Sequence, residues 1–190
     1  MIRNIFLLLI IFILVCNSSA MAQYGQSKYG IEGKQAPEWN IAHWYDADGE
    51  TTNYELEDFK GKVIYLLAFQ SWCPGCHSVG FPNLKETMAA FEDRDDVAFL
   101  AVQTVFEGES VNTVEKVKET AKKYELNIPF GHDPGDDSYY VRSQIMTDYK
   151  TGGTPWVIII DKAQTVRYND FHLPAENAIE AINILLEEDF

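Results

Sequence analysis

A chain of 190 residues, 46% apolar and 13% aromatic, is long enough to bury one full-sized core, and no internal repeat, linker-like tract or low-complexity run divides it. Solenoid and multidomain arrangements are therefore excluded. A formal net charge of −14, with no stripe among the 15 Lys and Arg residues, also argues against nucleic acid as a partner, because phosphate binding needs clustered positive charge.

The first residues carry Arg3, then the apolar run Ile5 to Val15, then Ala20-Met21-Ala22, the basic, hydrophobic and small-residue order of a signal peptide over residues 1–22. The run is well short of the roughly 20 residues that span a bilayer, so export with cleavage is favoured over a membrane anchor. The expected location is the periplasm or cell envelope. Cys16 leaves with the signal segment, and Val15 before it is unlike the small residue of a lipoprotein site. Of the three cysteines, Cys73 and Cys76 remain, and the ring they would close is too short to stabilise much through loop entropy, which favours a reactive pair over a structural staple.

Residues 23–35 form a polar N-terminal segment, and one domain is expected over 36–190. Pro37 to Trp44 reads as a short strand or lead-in, with Trp39 and Trp44 as core, and Tyr54 to Phe59 as a helical turn. Val63 to Phe69 is a continuous apolar run, the pattern of a strand covered on both faces. After the cysteine motif, Phe81, Leu84, Met88 and Phe91 recur at helical spacing. Val97 to Val105 predicts a second buried strand. Ser110 to Tyr124 predicts a helix with Val111, Val114, Val117 and Ala121 on one face and Lys122 and Lys123 at its C-terminal end. Residues 128–150 read as irregular, with a short helix near Ser138 to Asp148. Trp156 to Ile160 and Thr165 to Tyr168 predict two strands, and Ala178, Ile179, Ile182, Leu185 and Leu186 a closing amphipathic helix. Strands alternating with helices predict an α/β fold, a central sheet flanked by helices.

Disulfide exchange requires a thiolate nucleophile and a second sulfur near enough to resolve the mixed disulfide. Cys73-Pro74-Gly75-Cys76 supplies both at a helix N-terminus, where unpaired N–H groups and the helix dipole stabilise negative charge at Cys73, while Cys76, three residues on, shares its face. Cys73 is the expected nucleophile and Cys76 the resolving residue. Pro74 suits the first helical position, and Gly75 keeps its N–H. His77 shares the face of Cys73. It reads either as an exposed first-turn residue or as a modulator of the thiolate.

The chain resembles the thioredoxin superfamily, and within it the exported TlpA/ResA-like (redoxin) thiol:disulfide oxidoreductases of the bacterial envelope. The resemblance covers residues 36 to 188. It rests on Ala68-Phe69-Gln70-Ser71-Trp72 closing an apolar strand, on Cys73-Pro74-Gly75-Cys76, on Pro82 in the next helix and on Gly153-Thr154-Pro155 before a strand. It implies a thioredoxin fold with a central mixed β-sheet and an insertion before the strand that follows Pro155. It further implies a cis Thr154-Pro155 peptide beside the redox-active disulfide Cys73–Cys76, with Trp72, Pro74, Gly75, Thr154 and Pro155 shaping the substrate surface. Implied partners are protein disulfide substrates and a membrane thiol electron donor; no other cofactor and no metal is implied.

Two departures stand out. The buried Asp six residues before the first cysteine of thioredoxins is Leu67 here, and the helix acid of ResA-like proteins falls at Val79 or Gly80, so a relay carboxylate must come from elsewhere, with Glu86 and Asp133 to Asp137 in view. Pro82 lies one position later than the thioredoxin helix proline, which predicts a bulged first turn. Four other readings stay open. Cys73-Pro74-Gly75-Cys76-His77 also matches c-type haem attachment, with Met146, His43, His132 or His172 as second ligand. Two thiolates with His132 would suit Cu(I). A thioredoxin-like module that only binds a partner is the third. A peroxidase is disfavoured, because Gln70 stands where a peroxidatic cysteine needs Thr.

Overall fold

The computed structural model describes residues 28–188 apart from 42, 47, 50 and 136–142. The signal segment and the start of the helix expected near Ser138 lie outside these residues. Among them, seven strands form one mixed sheet: β1 His43–Tyr45, β2 Thr51–Thr52, β3 Val63–Phe69, β4 Val97–Thr104, β5 Phe130–Asp133, β6 Trp156–Ile160 and β7 Val166–Phe171, in the order β2-β1-β5-β4-β3-β6-β7. Strand β4 runs parallel to β3 and β5, whereas β6 is antiparallel to β3 and β7. The helices are α1 Phe81–Ala89, α2 Val114–Tyr124, α3 Gln144–Asp148 and α4 Ala175–Glu187.

Every residue of β3 is buried, because its alternate side chains enter two different cores. Val63, Tyr65, Leu67 and Phe69 join Phe81 and Leu84 of α1, Val117 of α2 and Ala178, Ile182 and Leu185 of α4. Ile64, Leu66 and Ala68 join Trp39, Trp44, Ile145, Tyr149 and Trp156 on the opposite face. Trp39 and Trp44 are thus core, and the Trp39 indole N–H donates to the Tyr149 hydroxyl at 3.0 Å.

The lead-in expected from Pro37 precedes the short strand β1, which begins at His43. Two expectations are corrected. Residues 128–150 contain the strand β5, hidden in a Phe-Gly-His-Asp run that lacks β-branched residues. The described part of the helix expected in that segment is α3, with Ser143 at its N-terminus, whose hydroxyl accepts from the Met146 N–H. Val111 is not on the buried face of α2: Glu109–Val111 is a separate 3-10 turn, α2 starts at Val114, and Val111 is 46% exposed. Helix α2 ends, as its sequence suggests, with Lys122 and Lys123 in the last turn and Glu125 in the left-handed region.

The segment after Lys28 seals the outer edge of β7. Gly33 donates to the Val166 carbonyl at 2.7 Å, Val166 returns a bond to the Lys34 carbonyl at 2.9 Å, and Ile31 and Ala36 enter the core. An edge strand whose backbone is paired in this way is protected from association with other chains.

Candidate active site at the dithiol turn

Strand β3 delivers the chain to Gln70, and the turn Ser71-Trp72-Cys73 leads into a helix that opens at Pro74 and Gly75. From Cys76 to Gly80 this helix is a π-helix, which then passes into α1 at Phe81 with Pro82 in its first turn. The one-residue delay of Pro82 is accommodated here, since a π-turn holds one more residue than an α-turn.

Cys73 is 7% exposed and Cys76 is fully buried. The Cys76 N–H donates to Cys73 Sγ at 3.2 Å, and Cys73 Sγ lies 3.6 Å from the Thr154 carbonyl oxygen. Burial, followed by the hydrogen bond to the Cys73 sulfur, pushes the Cys76 thiol up to about 12. The Cys76 sulfur is therefore held protonated, and of the two cysteines only Cys73 retains any exposure.

The Thr154–Pro155 bond is cis, and Pro155 is buried beside the dithiol. Two glycines let the helix close on its ring. A Cβ on Gly75 would meet Pro155 Cδ at 3.3 Å, and one on Gly80 would meet Pro155 Cβ at 2.8 Å. On the other side of Cys73 stands Trp72, 45% exposed, next to Val111; together with Thr120 and Lys123 they line an open cleft of about 490 Å³. Phe171, also exposed, lies against Gly153. Apolar side chains thus flank the reactive turn on both sides.

His77 departs from the reading of an exposed first-turn residue. It is half-buried rather than exposed, and both ring nitrogens are bonded away from the sulfurs. Nε2 donates to the Ser71 carbonyl at 2.7 Å, an acceptor that fixes the tautomer, and Nδ1 faces the Tyr124 hydroxyl at 2.8 Å. The imidazole also stacks on Tyr124 and Phe81. His77 ties the turn to α2 and does not bond the thiolate.

No described carboxylate named from the sequence meets the cysteines. Leu67 lies in the core, Val79 and Glu86 are exposed, and Gly80 is packed on Pro155. Asp133 is engaged elsewhere: it accepts from the Ser143 hydroxyl at 2.5 Å, the Gln144 N–H at 3.0 Å and the Ile145 N–H at 2.8 Å, capping α3. Asp136 and Asp137 lie outside the described residues. His132 in β5 stacks on His43 with ring centres 6.3 Å apart, and burial, then the charge of His43, lowers its pKa. Gln103 links it to the turn, with the amide nitrogen facing His132 Nδ1 at 2.7 Å and the amide oxygen accepting from the Ser71 hydroxyl. Among the described residues, no group of three or more His, Cys, Asp and Glu side chains is arranged to hold a metal ion.

Sequence reasoning missed Asn112 entirely and noted Gln70 only as part of the strand end and as the residue that argues against a peroxidase. Both are buried polar residues under the turn, and nothing in the sequence signals that they meet.

The sequence matches the AhpC/TSA family over residues 32–169, well over half of the chain. The chain belongs to the AhpC/TSA family. Its similarity to individual members points the same way. It is 27% identical over 158 residues to a thiol-disulfide oxidoreductase ResA of Bacillus cereus, covering 80% of this chain and 79% of that one. It is 26% identical over 151 residues to the thioredoxin-like protein YneN of Bacillus subtilis, covering 79% and 76%. Among solved structures, the thioredoxin-like superfamily protein SPOA0173 superposes with a TM-score of 0.73 at 36% identity, over 82% of this chain and 97% of that one. A thiol-disulfide isomerase from Corynebacterium glutamicum gives 0.70 at 25% identity, over 81% and 98%. The thioredoxin-like fold and the ResA-like resemblance are both borne out, and this AhpC/TSA member is an oxidoreductase of the thioredoxin-like group.

Proposed function

We propose that this protein is an exported thiol:disulfide oxidoreductase that reduces disulfides of envelope proteins through Cys73 and Cys76. The observation that carries the reading is the asymmetry of the pair: Cys73 keeps 7% exposure, while Cys76 is fully buried with its N–H 3.2 Å from the Cys73 sulfur.

The Cys73 thiolate attacks one sulfur of a substrate disulfide, forming a mixed disulfide and releasing the other substrate sulfur as a thiolate. Cys76 then loses its proton and attacks Cys73 Sγ, which forms the Cys73–Cys76 disulfide and frees the second substrate thiol. Two electrons and two protons pass to the substrate in each cycle. A membrane thiol donor would return them by the reverse exchange. Trp72, Pro74, Gly75, Thr154 and Pro155 surround the attacking sulfur and form the surface on which the substrate segment lies.

Haem attachment is a poorer account of the same motif. It would need both sulfurs at a porphyrin edge and His77 on iron, but Cys76 is fully buried and both nitrogens of His77 are engaged by Tyr124 and Ser71.

The deciding experiment is the reduction potential, measured by equilibrating the protein with dithiothreitol or glutathione and counting thiols. A value near roughly −270 mV supports a reductase that draws on a dedicated donor, and a value near roughly −120 mV makes the protein an oxidant. Two thiols that never form a disulfide under either buffer would overturn the exchange reading.

A further inference from the structure

The side chains of Gln70 and Asn112 lie buried beneath the turn. Asn112 sits between the Glu109–Val111 turn and α2, far in sequence from Ser71. Its Oδ1 accepts from the Ser71 N–H at 2.9 Å, and its Nδ2 donates to Gln70 Oε1 at 2.8 Å and faces the Glu107 and Gly108 carbonyls at 2.9 and 3.2 Å. The same Gln70 oxygen accepts the Trp72 indole N–H at 3.2 Å. Gly108, in the left-handed region, closes the loop under that ring, since a Cβ there would meet Trp72 Nε1 at 3.3 Å and Val111 Cγ2 at 3.1 Å.

The result is an exposed aromatic side chain whose polar atom is turned inward and fixed. A tryptophan free to change rotamer would lose that freedom when a partner docks, and holding it in advance removes the cost from the binding step. With its N–H satisfied inside, the ring offers the partner only apolar surface beside Cys73. We propose that Gln70 and Asn112 are positioning residues that lock the Trp72 indole as a rigid wall of the substrate-docking surface. Their effect falls on docking of protein disulfides and not on the chemistry at sulfur. This role rests on the thiol:disulfide exchange reading above.

The test uses Gln70→Met, which keeps length and removes the acceptor, on the full folded chain. Two readouts are taken: solvent exchange of the Trp72 indole N–H by NMR, assigned with Trp72→Phe, and the kinetics of insulin disulfide reduction. The expected result is faster exchange of that one indole proton, with KM for insulin raised by up to about tenfold and kcat within about twofold, the scale of one lost hydrogen bond. Asn112→Asp, which keeps the acceptor for Ser71 but no longer donates to Gln70, provides the same loosening if Gln70→Met does not fold. An indole proton equally protected in both variants would overturn the proposal, as would a fall in kcat that tracks loss of folded protein with KM unchanged. Failure of the wild-type chain to reduce insulin at all would overturn the exchange reading itself, a result separable from these because it needs no variant.

Discussion

A Cβ built on Gly80 stands 2.8 Å from Pro155 Cβ and 3.5 Å from Leu67 Cδ1. The last residue of the π-turn is thus pressed onto the proline beside the dithiol with no room for a methyl group. The contact leaves no room for a side chain at this position: one at Gly80 would push the helix off Pro155.

Gly80→Ala is therefore expected to destabilise the fold by about 1–3 kcal/mol through overpacking against a rigid ring. Guanidinium titration measures this as a lower midpoint at unchanged slope. A variant as stable as the wild type would mean that the helix and Pro155 separate at little cost.

Because burial pushes the Cys76 thiol up to about 12 from an ordinary value of 9.0, the reduced pair should alkylate at Cys73 alone across neutral pH. Mass spectrometry after a pulse of iodoacetamide reads the site directly. Labelling of both cysteines at pH 7 would contradict the burial of Cys76.

The same shift has a consequence for stability. Between about pH 9 and 12 the unfolded chain has released the Cys76 proton while the folded chain retains it, so stability falls as pH rises through that window. Buried Tyr65 and Tyr149 shift in the same direction and add to the slope at higher pH. Comparing the reduced wild type with Cys76→Ser isolates the cysteine, and the variant should show the shallower decline from pH 9.

His132 acts in the opposite direction. Burial and the neighbouring His43 depress it below its ordinary 6.5, so the folded state holds it neutral. Its contribution is present above pH 6.5 and lost as pH falls through the lowered value, because the unfolded chain then binds a proton that the folded chain refuses. Thermal melts between pH 5 and 8 should show a smaller acid loss for His132→Gln than for the wild type.

Asp133 caps α3 with a carboxylate that accepts the Gln144 and Ile145 N–H groups and the Ser143 hydroxyl. Asp133→Ala strands these donors in a buried site and is expected to cost about 1–3 kcal/mol, with faster amide exchange at Gln144 and Ile145. Unchanged exchange at both amides would show that the cap is dispensable.

The readable parts of this protein are those whose physics is local. Val63 to Phe69 and Trp156 to Ile160 are legible as buried strands because both faces of each are covered, so the run is apolar without alternation. The dithiol is legible because Cys-Pro-Gly-Cys carries its chemistry in four consecutive residues, and the π-turn because Pro82 is displaced by one position along the chain. Strand β5 is illegible for the converse reason: Phe-Gly-His-Asp has little strand preference and pairs only because β4 and β1 hold it between them.

The sequence by itself determined the fold class and the two cysteines, since covered strands and a short reactive motif leave their mark on neighbouring residues, and its resemblance to the thioredoxin superfamily pointed to Pro155 beside them. Only the tertiary structure decided what surrounds them. Asn112 reaches Ser71 and Gln70 across 41 and 42 positions, His77 turns to Tyr124 across 47, and Asp133 is drawn into a helix cap. These roles depend on which distant polar group lies within about 3 Å in a buried place, and a hydrogen bond between elements is chosen by their packing and leaves no periodicity in the chain.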